Sequence, residues 1–407
     1  MPTSDQLLAL LPQAAPLPST PLGSFEDSAV AWTTWVTLMG FVGVTALSLI
    51  STGPAAGRLN AATLSAVTRR LARAAIVLGA LAVPAVLTSL AHSGKKGGYN
   101  YATAWKSLFD GTTDGLLSGL EVTLLLVGVV ALVPLALRSG APGPARRWLL
   151  AASLSAGTIA LGTTKFPAKA PNNLGRSIFE TIVWMLHLVG GAIWLGGLAG
   201  LALLTLPGAI APADRHAFWS PAIRRFSATA MSCVAAVGLS GLFLYWEHVD
   251  GPSQLFTTMY GRVLGVKILI FGALLLLGAA NQFWLHPRID ALRAAGDHRP
   301  LRTILVRRFP AVVAVETLLG LALLFVAPFL HGSARNQAYQ ADLARNATGP
   351  LGKLPKLPPK EAVASTWTLG VLETLAVIAV MVAGYWLSGR LARRRRVTGS
   401  VRPEPGV

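Results

Sequence analysis

Nine apolar runs alternate along the chain with short segments in which Arg, Lys, Pro and Gly gather. At 1.5 Å per residue, about 20 apolar residues cross the roughly 30 Å hydrocarbon layer of a bilayer. The runs lie at about 28–50, 71–91, 117–137, 146–163, 178–207, 224–247, 260–284, 309–330 and 367–388. They predict an all-α fold, a polytopic transmembrane bundle of about nine spans. The run at 146–163 is short and rich in small residues, and Pro84 predicts a kink in the second helix.

The fifth run, IFETIVWMLHLVGGAIWLGGLAGLALLTLP, organises the rest. At helical spacing Glu180, Trp184, His187, Gly191 and Trp194 fall along one face, so the groups most costly to place in lipid share a stripe. That stripe is expected to face other helices. Gly196 and Gly200 form a small-xxx-small pair that permits close approach of a neighbouring helix.

Charge sets the expected orientation. If residues 1–27 lie outside, the segments 51–73, 138–147, 208–225, 283–308 and 389–407 are cytoplasmic and hold 22 Lys plus Arg, against 11 in the external segments. The asymmetry predicts N-terminus out and C-terminus in, with RLARRRR anchoring the last span at the cytoplasmic surface. The formal charge of +18 therefore reflects membrane topology and not nucleic-acid binding. A composition of 53% hydrophobic and 13% charged residues leaves no room for a large water-facing domain. The LLALL run near the N-terminus lacks a basic flank and is too short to span, so no cleaved signal peptide is expected. Cys233 is the only cysteine, which excludes a disulfide framework or a CxxC metal motif.

Among the loops, 92–116 carries Tyr99, Tyr101, Trp105 and Phe109 at spacings suited to an interfacial helix. The segment 331–366 is rich in Pro and Lys and is expected to be irregular, and its sequon at Asn346 reads as chance.

Candidate chemistry lies in ionisable groups within the spans, each of which costs a few kcal/mol or more unless paired, ligated or hydrated. These are Glu121, Glu180, His187, Glu247, Lys267, Glu316 and Glu373, with Asn281 as a neutral polar addition. Only His187 and Glu316 lie too deep for ordinary surface hydration. His92, His248 and His331 mark the external ends of the second, sixth and eighth spans, with Met259 and Glu247 nearby. Such borderline-to-soft donors suit a copper ion if those helix ends are neighbours. Polar residues that simply mark helix ends account for the same pattern.

Four blocks add a resemblance. HLVGGAIWLGGLAGLALL from His187 resembles the histidine-helix motif of the copper resistance D (CopD) family, a His followed by W-x-G-G. RRFSATAMSCVAAVGLSGLFLYWEHV, TTMYGRVLGVKILIFGALLLLGAANQFWL and VVAVETLLGLALLFVAPFL resemble the family's next helices, in family order across about 175–330. Matching positions are His187, Trp194, Gly196, Gly197, Tyr260, Gly261, Arg262, Lys267, Asn281 and Glu316. The apolar runs and charge pattern, with the resemblance marking a core at 175–330, divide the chain into an external segment 1–27, N-terminal transmembrane helices 28–174, that core, an external loop 331–366, and a last helix with a basic tail, 367–407.

It implies a multi-pass protein of the cell (inner or plasma) membrane, not an enzyme, that moves copper inward, alongside a CopC-type external copper-binding partner. The copper ion would meet His92, His248, Met259 and His331 in an external vestibule. It would then reach His187, with Glu180 as upper relay and Glu316 as lower relay or proton carrier. Two other readings are a haem-binding electron carrier of cytochrome b type and a non-catalytic assembly subunit. The lone deep histidine argues against the usual pair of axial haem ligands.

Overall fold

The structure is a computed structural model, and it describes residues 25–92, 98–137, 143–167, 169, 171, 173–281, 283, 309–330, 332–346 and 354–399. Among the described residues it is helical with no strand. Helix α1 (Phe25–Leu47) runs on through a π-helical turn at Ser48–Thr52 and a short helix Gly53–Ala56. Then come α2 (Ala61–His92), α3 (Tyr101–Ser107), α4 (Thr113–Leu137), α5 (Gly143–Thr163), α6 (Leu174–Thr205) and α7 (Arg215–His248). The chain continues with α8 (Met259–Ala280), α9 (Phe309–Val326), α10 (Ala334–Asn346) and α11 (Ala364–Gly399).

Among the described residues eight helical segments are long and apolar enough to cross a membrane, so the chain is a multi-pass membrane protein. Each expected run falls on a helix. The run at 146–163 is the ninth, α5, and it is not among the eight because Arg146 and Arg147 dilute its apolar character. Its neighbours nevertheless set it across the bundle: Arg146 stands beside Gly53 at one end of α1, while Gly157 stands beside Phe41 in the middle of it.

Side-chain registers fix the directions. Gly43 of α1 meets Ala192 and Gly196 of α6, and Leu47 meets Gly200, so these two helices run parallel. Gly40 opposes Leu78 while Asp27 pairs with His92, and Gly79 opposes Val129 while Arg73 donates to the Ala136 carbonyl, which makes α2 antiparallel to α1 and α4 antiparallel to α2. Against α6, α7 runs antiparallel, since Gly190 faces Cys233 and Val237 while Gly197 faces Phe226. The alternation gives two ends: a first face, where α1, α4, α6 and α8 begin, and an opposite face, where they finish.

The small-xxx-small pair of α6 serves the α1 crossing. A Cβ on Gly43 would stand 2.6 Å from the Gly196 Cα, closer than any side chain tolerates, so glycine at both positions sets how near the backbones come. One layer away, Phe41 is fully buried. Its ring fills the space left by Gly79, Gly128 and Gly157 on α2, α4 and α5. This interlocked half of the molecule contrasts with the later helices: 78% of the apolar stretch of α1 is buried inside the protein, against 11% for α7 and 6% for α8.

Two loops differ from a purely irregular reading. Part of 92–116 folds as α3, capped where Asn100 accepts from the Thr103 amide, which agrees with the spacing of its aromatics. The segment 331–366 is not irregular throughout, because its polar stretch ARNQAYQADLARN forms α10. The chain beyond α10 is pinned back onto it: the Leu357 amide donates to Asn336 at 2.8 Å and Arg335 donates to the Pro358 carbonyl at 3.4 Å. Pro84 lies within a helix that continues through it, with Thr88 donating to the Pro84 carbonyl at 2.7 Å.

Candidate functional site

The stripe on α6 faces its neighbours. Ile182 and Leu186, between its members, are about half exposed toward the lipid side, whereas Gly191 and Trp194 are buried. Gly191 packs on Met39 of α1, and the Trp194 ring meets Phe271 of α8 edge-on at 5.9 Å.

His187 is half-buried on the α6–α7 seam, its Nδ1 3.0 Å from the Ser240 hydroxyl. The Ser240 proton is already directed at the Ala236 carbonyl, 2.6 Å away. A hydroxyl has one proton to give, so its oxygen accepts from His187 Nδ1–H. With the proton on Nδ1, Nε2 keeps its lone pair, the form of imidazole that binds metals. Trp184 stands beside the ring at 6.3 Å, and the Lys165 ammonium lies 4.1 Å above the Trp184 indole. Lys165, between α5 and α6, is held below the ordinary lysine range by burial. Lys267 of α8 is the other cation acting on His187. Cys233 lies on the same seam about two turns further from the first face, where its carbonyl faces Gly190.

At the first-face end of this seam Arg176 bridges the carboxylates. It donates to Glu180 at 2.5 Å, to Glu247 at 3.1 Å and to the Lys360 carbonyl at 2.7 Å. Lys360 donates in turn to the carbonyls of Trp246 and Val249 and pairs with Asp250 at 2.9 Å. The strap after α10 thus lies across the end of α7. Asp250 is held below the ordinary carboxylate range, although its burial works the other way, by Lys360 and Arg335. His248 donates from Nδ1 to the Leu244 carbonyl at 2.8 Å and stacks on Tyr260 at 5.9 Å, and among the described residues no hydrogen bond reaches its Nε2. Met259, beside Tyr260, is 37% exposed.

Glu316 is buried and paired: it accepts from Asn281 at 2.7 Å. Helical rise from the Trp194–Phe271 contact puts this pair on the order of 20 Å from His187, toward the opposite face. His92 belongs to a separate group. It pairs with Asp27 and lies 5.0 Å from the Tyr99 ring, while Tyr99 donates to Glu26 at 2.5 Å. This bond to Glu26 pushes the Tyr99 phenol up to about 12. Among the described residues no hydrogen bond, ion pair or ring contact joins His92 to His248 or Met259. His331 lies outside the described residues.

The structure therefore brings His248 near Met259 through Tyr260, joins Glu180 to Glu247 through Arg176, and leaves His187, Glu316 and His92 each with its own partner. Among the described residues no three His, Cys, Asp or Glu side chains gather closely enough to hold a metal ion. Ser240 and Arg176 belong to the site although the sequence pattern did not single them out. Arg176 carries a signal in the sequence, because it stands four residues before Glu180 on one helix. Ser240 carries none.

Comparison with known proteins bears on the same helices. Residues 220–330 match the family described as Copper resistance protein D. The chain is 38% identical over 96 residues to the Copper transport protein CutJ of Bacillus subtilis (strain 168), covering 24% of this chain and 17% of that protein. It is 28% identical over 179 residues to the Copper resistance protein D of Pseudomonas syringae pv. tomato, covering 42% of this chain and 56% of that protein. The chain thus aligns with about half or less of the length of either relative. The family match takes in Ser240, His248, Met259, Asn281 and Glu316, while His187 lies ahead of it.

Proposed function

Because residues 220–330 match the Copper resistance protein D family, we propose that this membrane protein carries copper ions inward across the cell membrane, with its first face outside. The observation that carries the reading is the His187 ring: held by Ser240 through Nδ1–H, it presents Nε2 on a seam between helices where water is scarce. An imidazole fixed this way is a ligand for a borderline metal and exchanges it readily when no closed cage surrounds the ion.

Copper arrives at the first face, delivered by a small external copper-binding protein of CopC type, and meets the open Nε2 of His248 beside Met259. From there the α6–α7 seam leads over about eight helical residues, roughly 12 Å, to His187. Glu180, tied to Arg176, keeps a negative group above that point without closing a cage around the ion. Beyond His187 the Trp194–Phe271 pair narrows the route, and Glu316 with Asn281 offers the next oxygen donors. Glu316, buried beside one amide, is also suited to exchanging a proton as copper leaves. The Glu26–Asp27–His92–Tyr99 group is a second external cluster away from this route.

The test uses membrane vesicles of defined orientation. Right-side-out vesicles containing the protein are expected to accumulate copper, inverted ones are not, and His187→Ala is expected to abolish accumulation with unchanged protein in the membrane. Equal accumulation by the His187→Ala vesicles would remove the residue from the mechanism. Uptake only by inverted vesicles would reverse the orientation.

A further inference from the structure

At the opposite face α1 departs from regular helix. Ser48–Thr52 form a π-helical turn, in which the Gly53 amide donates to Ser48 and Thr52 Oγ1 donates to the Leu47 carbonyl at 3.2 Å. Widened turns of this kind are uncommon and concentrate at functional sites.

Arg146 of α5 lies against the turn. Its Nη1 is 2.7 Å from where a Cβ on Gly53 would stand, so the guanidinium packs directly on the glycine. Arg146 is 8% exposed, and its Nε has no hydrogen-bond partner; neither have the buried hydroxyls of Ser48 and Ser51. The charge nearest in effect to Arg146 is that of Arg147, of the same sign. Among the described residues no carboxylate pairs with either arginine. Two adjacent guanidinium groups, one of them buried, thus lack a counter-charge among the described residues.

Beside them a groove of about 370 Å³ is lined by Leu49, Pro144, Arg147, Trp148 and Ala151. Pro144 puts the first turn of α5, the positive end of that helix's dipole, at its rim. Trp148 is 76% exposed, as indoles at a membrane–water boundary are. Leu49 and Ala151 are apolar.

We propose that this groove holds one anionic glycerophospholipid. Its phosphate sits against Arg147 and the start of α5, and one acyl chain lies along Leu49 and Ala151. The charge complementarity calls for an anion, and the apolar lining beside an exposed indole calls for one that carries a hydrocarbon chain.

The experiment is native mass spectrometry of the full-length protein, delipidated in non-ionic detergent and titrated with phosphatidylglycerol or phosphatidylcholine. One phosphatidylglycerol is expected to bind in preference to phosphatidylcholine. Arg147→Gln, at an exposed position, is expected to weaken it about fivefold, the ratio that one basic residue near a membrane surface supplies. Arg147→Lys is expected to restore most of the binding. Arg390→Gln, a basic residue on α11, is expected to leave it unchanged. The proposal fails if Arg147→Gln binds phosphatidylglycerol as the parent does, if phosphatidylcholine binds equally well, or if Arg390→Gln has the same effect. Displacement of the lipid by millimolar inorganic phosphate would make the ligand a soluble anion and overturn it as well.

Discussion

A single hydroxyl decides which nitrogen of His187 is open. Ser240 gives its own proton to Ala236, so its oxygen takes one from Nδ1 in the tautomer that keeps the Nε2 lone pair. Ser240→Ala frees the ring to turn and to change tautomer. The expected outcome is copper affinity at least about tenfold weaker in competition with a chelator, the usual size of effect when the group orienting a metal-binding histidine is removed. Unchanged affinity would mean that packing alone holds the ring. His187 and Glu316 were legible in the sequence because an ionisable residue at membrane depth stands out against its apolar neighbours. Ser240 was not, since serine is ordinary in a membrane helix and only the crossing of α6 on α7 turns it toward the imidazole. Glu180 was legible as an acid, but its tie to Arg176 and onward to Glu247 required a contact between helices 71 positions apart in the chain.

Element boundaries followed the apolar pattern closely, because in a bilayer a helix must satisfy its own backbone over the whole hydrocarbon thickness. The exception at 331–366 has the opposite cause. α10 is polar, so it carries no hydropathy signal, and its anchors are Gln337 on the Tyr260 amide and Arg335 on Asp250. At the opposite face the start of α2 is clamped to the connection before α7. Asp214 accepts from Thr63 and, at 3.0 Å, from Asn60, and these bonds, Thr63 first, hold its carboxyl below the ordinary value of 3.8. A depressed carboxyl contributes stability above its unfolded-state value and loses it as pH falls through the folded-state one. Asp214→Ala is therefore expected to melt at lower temperature than the parent at pH 7, with the gap closing as pH falls below about 3.8. A gap independent of pH in thermal melts of the detergent-solubilised protein would show that the clamp is not electrostatic.

At the scale of the whole molecule, burial is uneven. α1 is enclosed by α2, α5, α6 and α9, whereas among the described residues few side chains of α7, α8 and α11 are fully buried. Hydrogen exchange in nanodiscs is expected to reflect this, with amides of Met259–Ala280 exchanging faster than those of Phe25–Leu47; equal protection would contradict it. The uneven packing could not be read from hydropathy, which is as high in the enclosed helices as in the open ones. It depends on which glycines meet which rings. With Phe41 wedged among three glycines, the early helices act as a fixed keel. If copper takes the proposed route between Trp194 and Phe271, what yields is the later part of the bundle, moving like a sash in its frame, and any coupling to an energy source would act on that half.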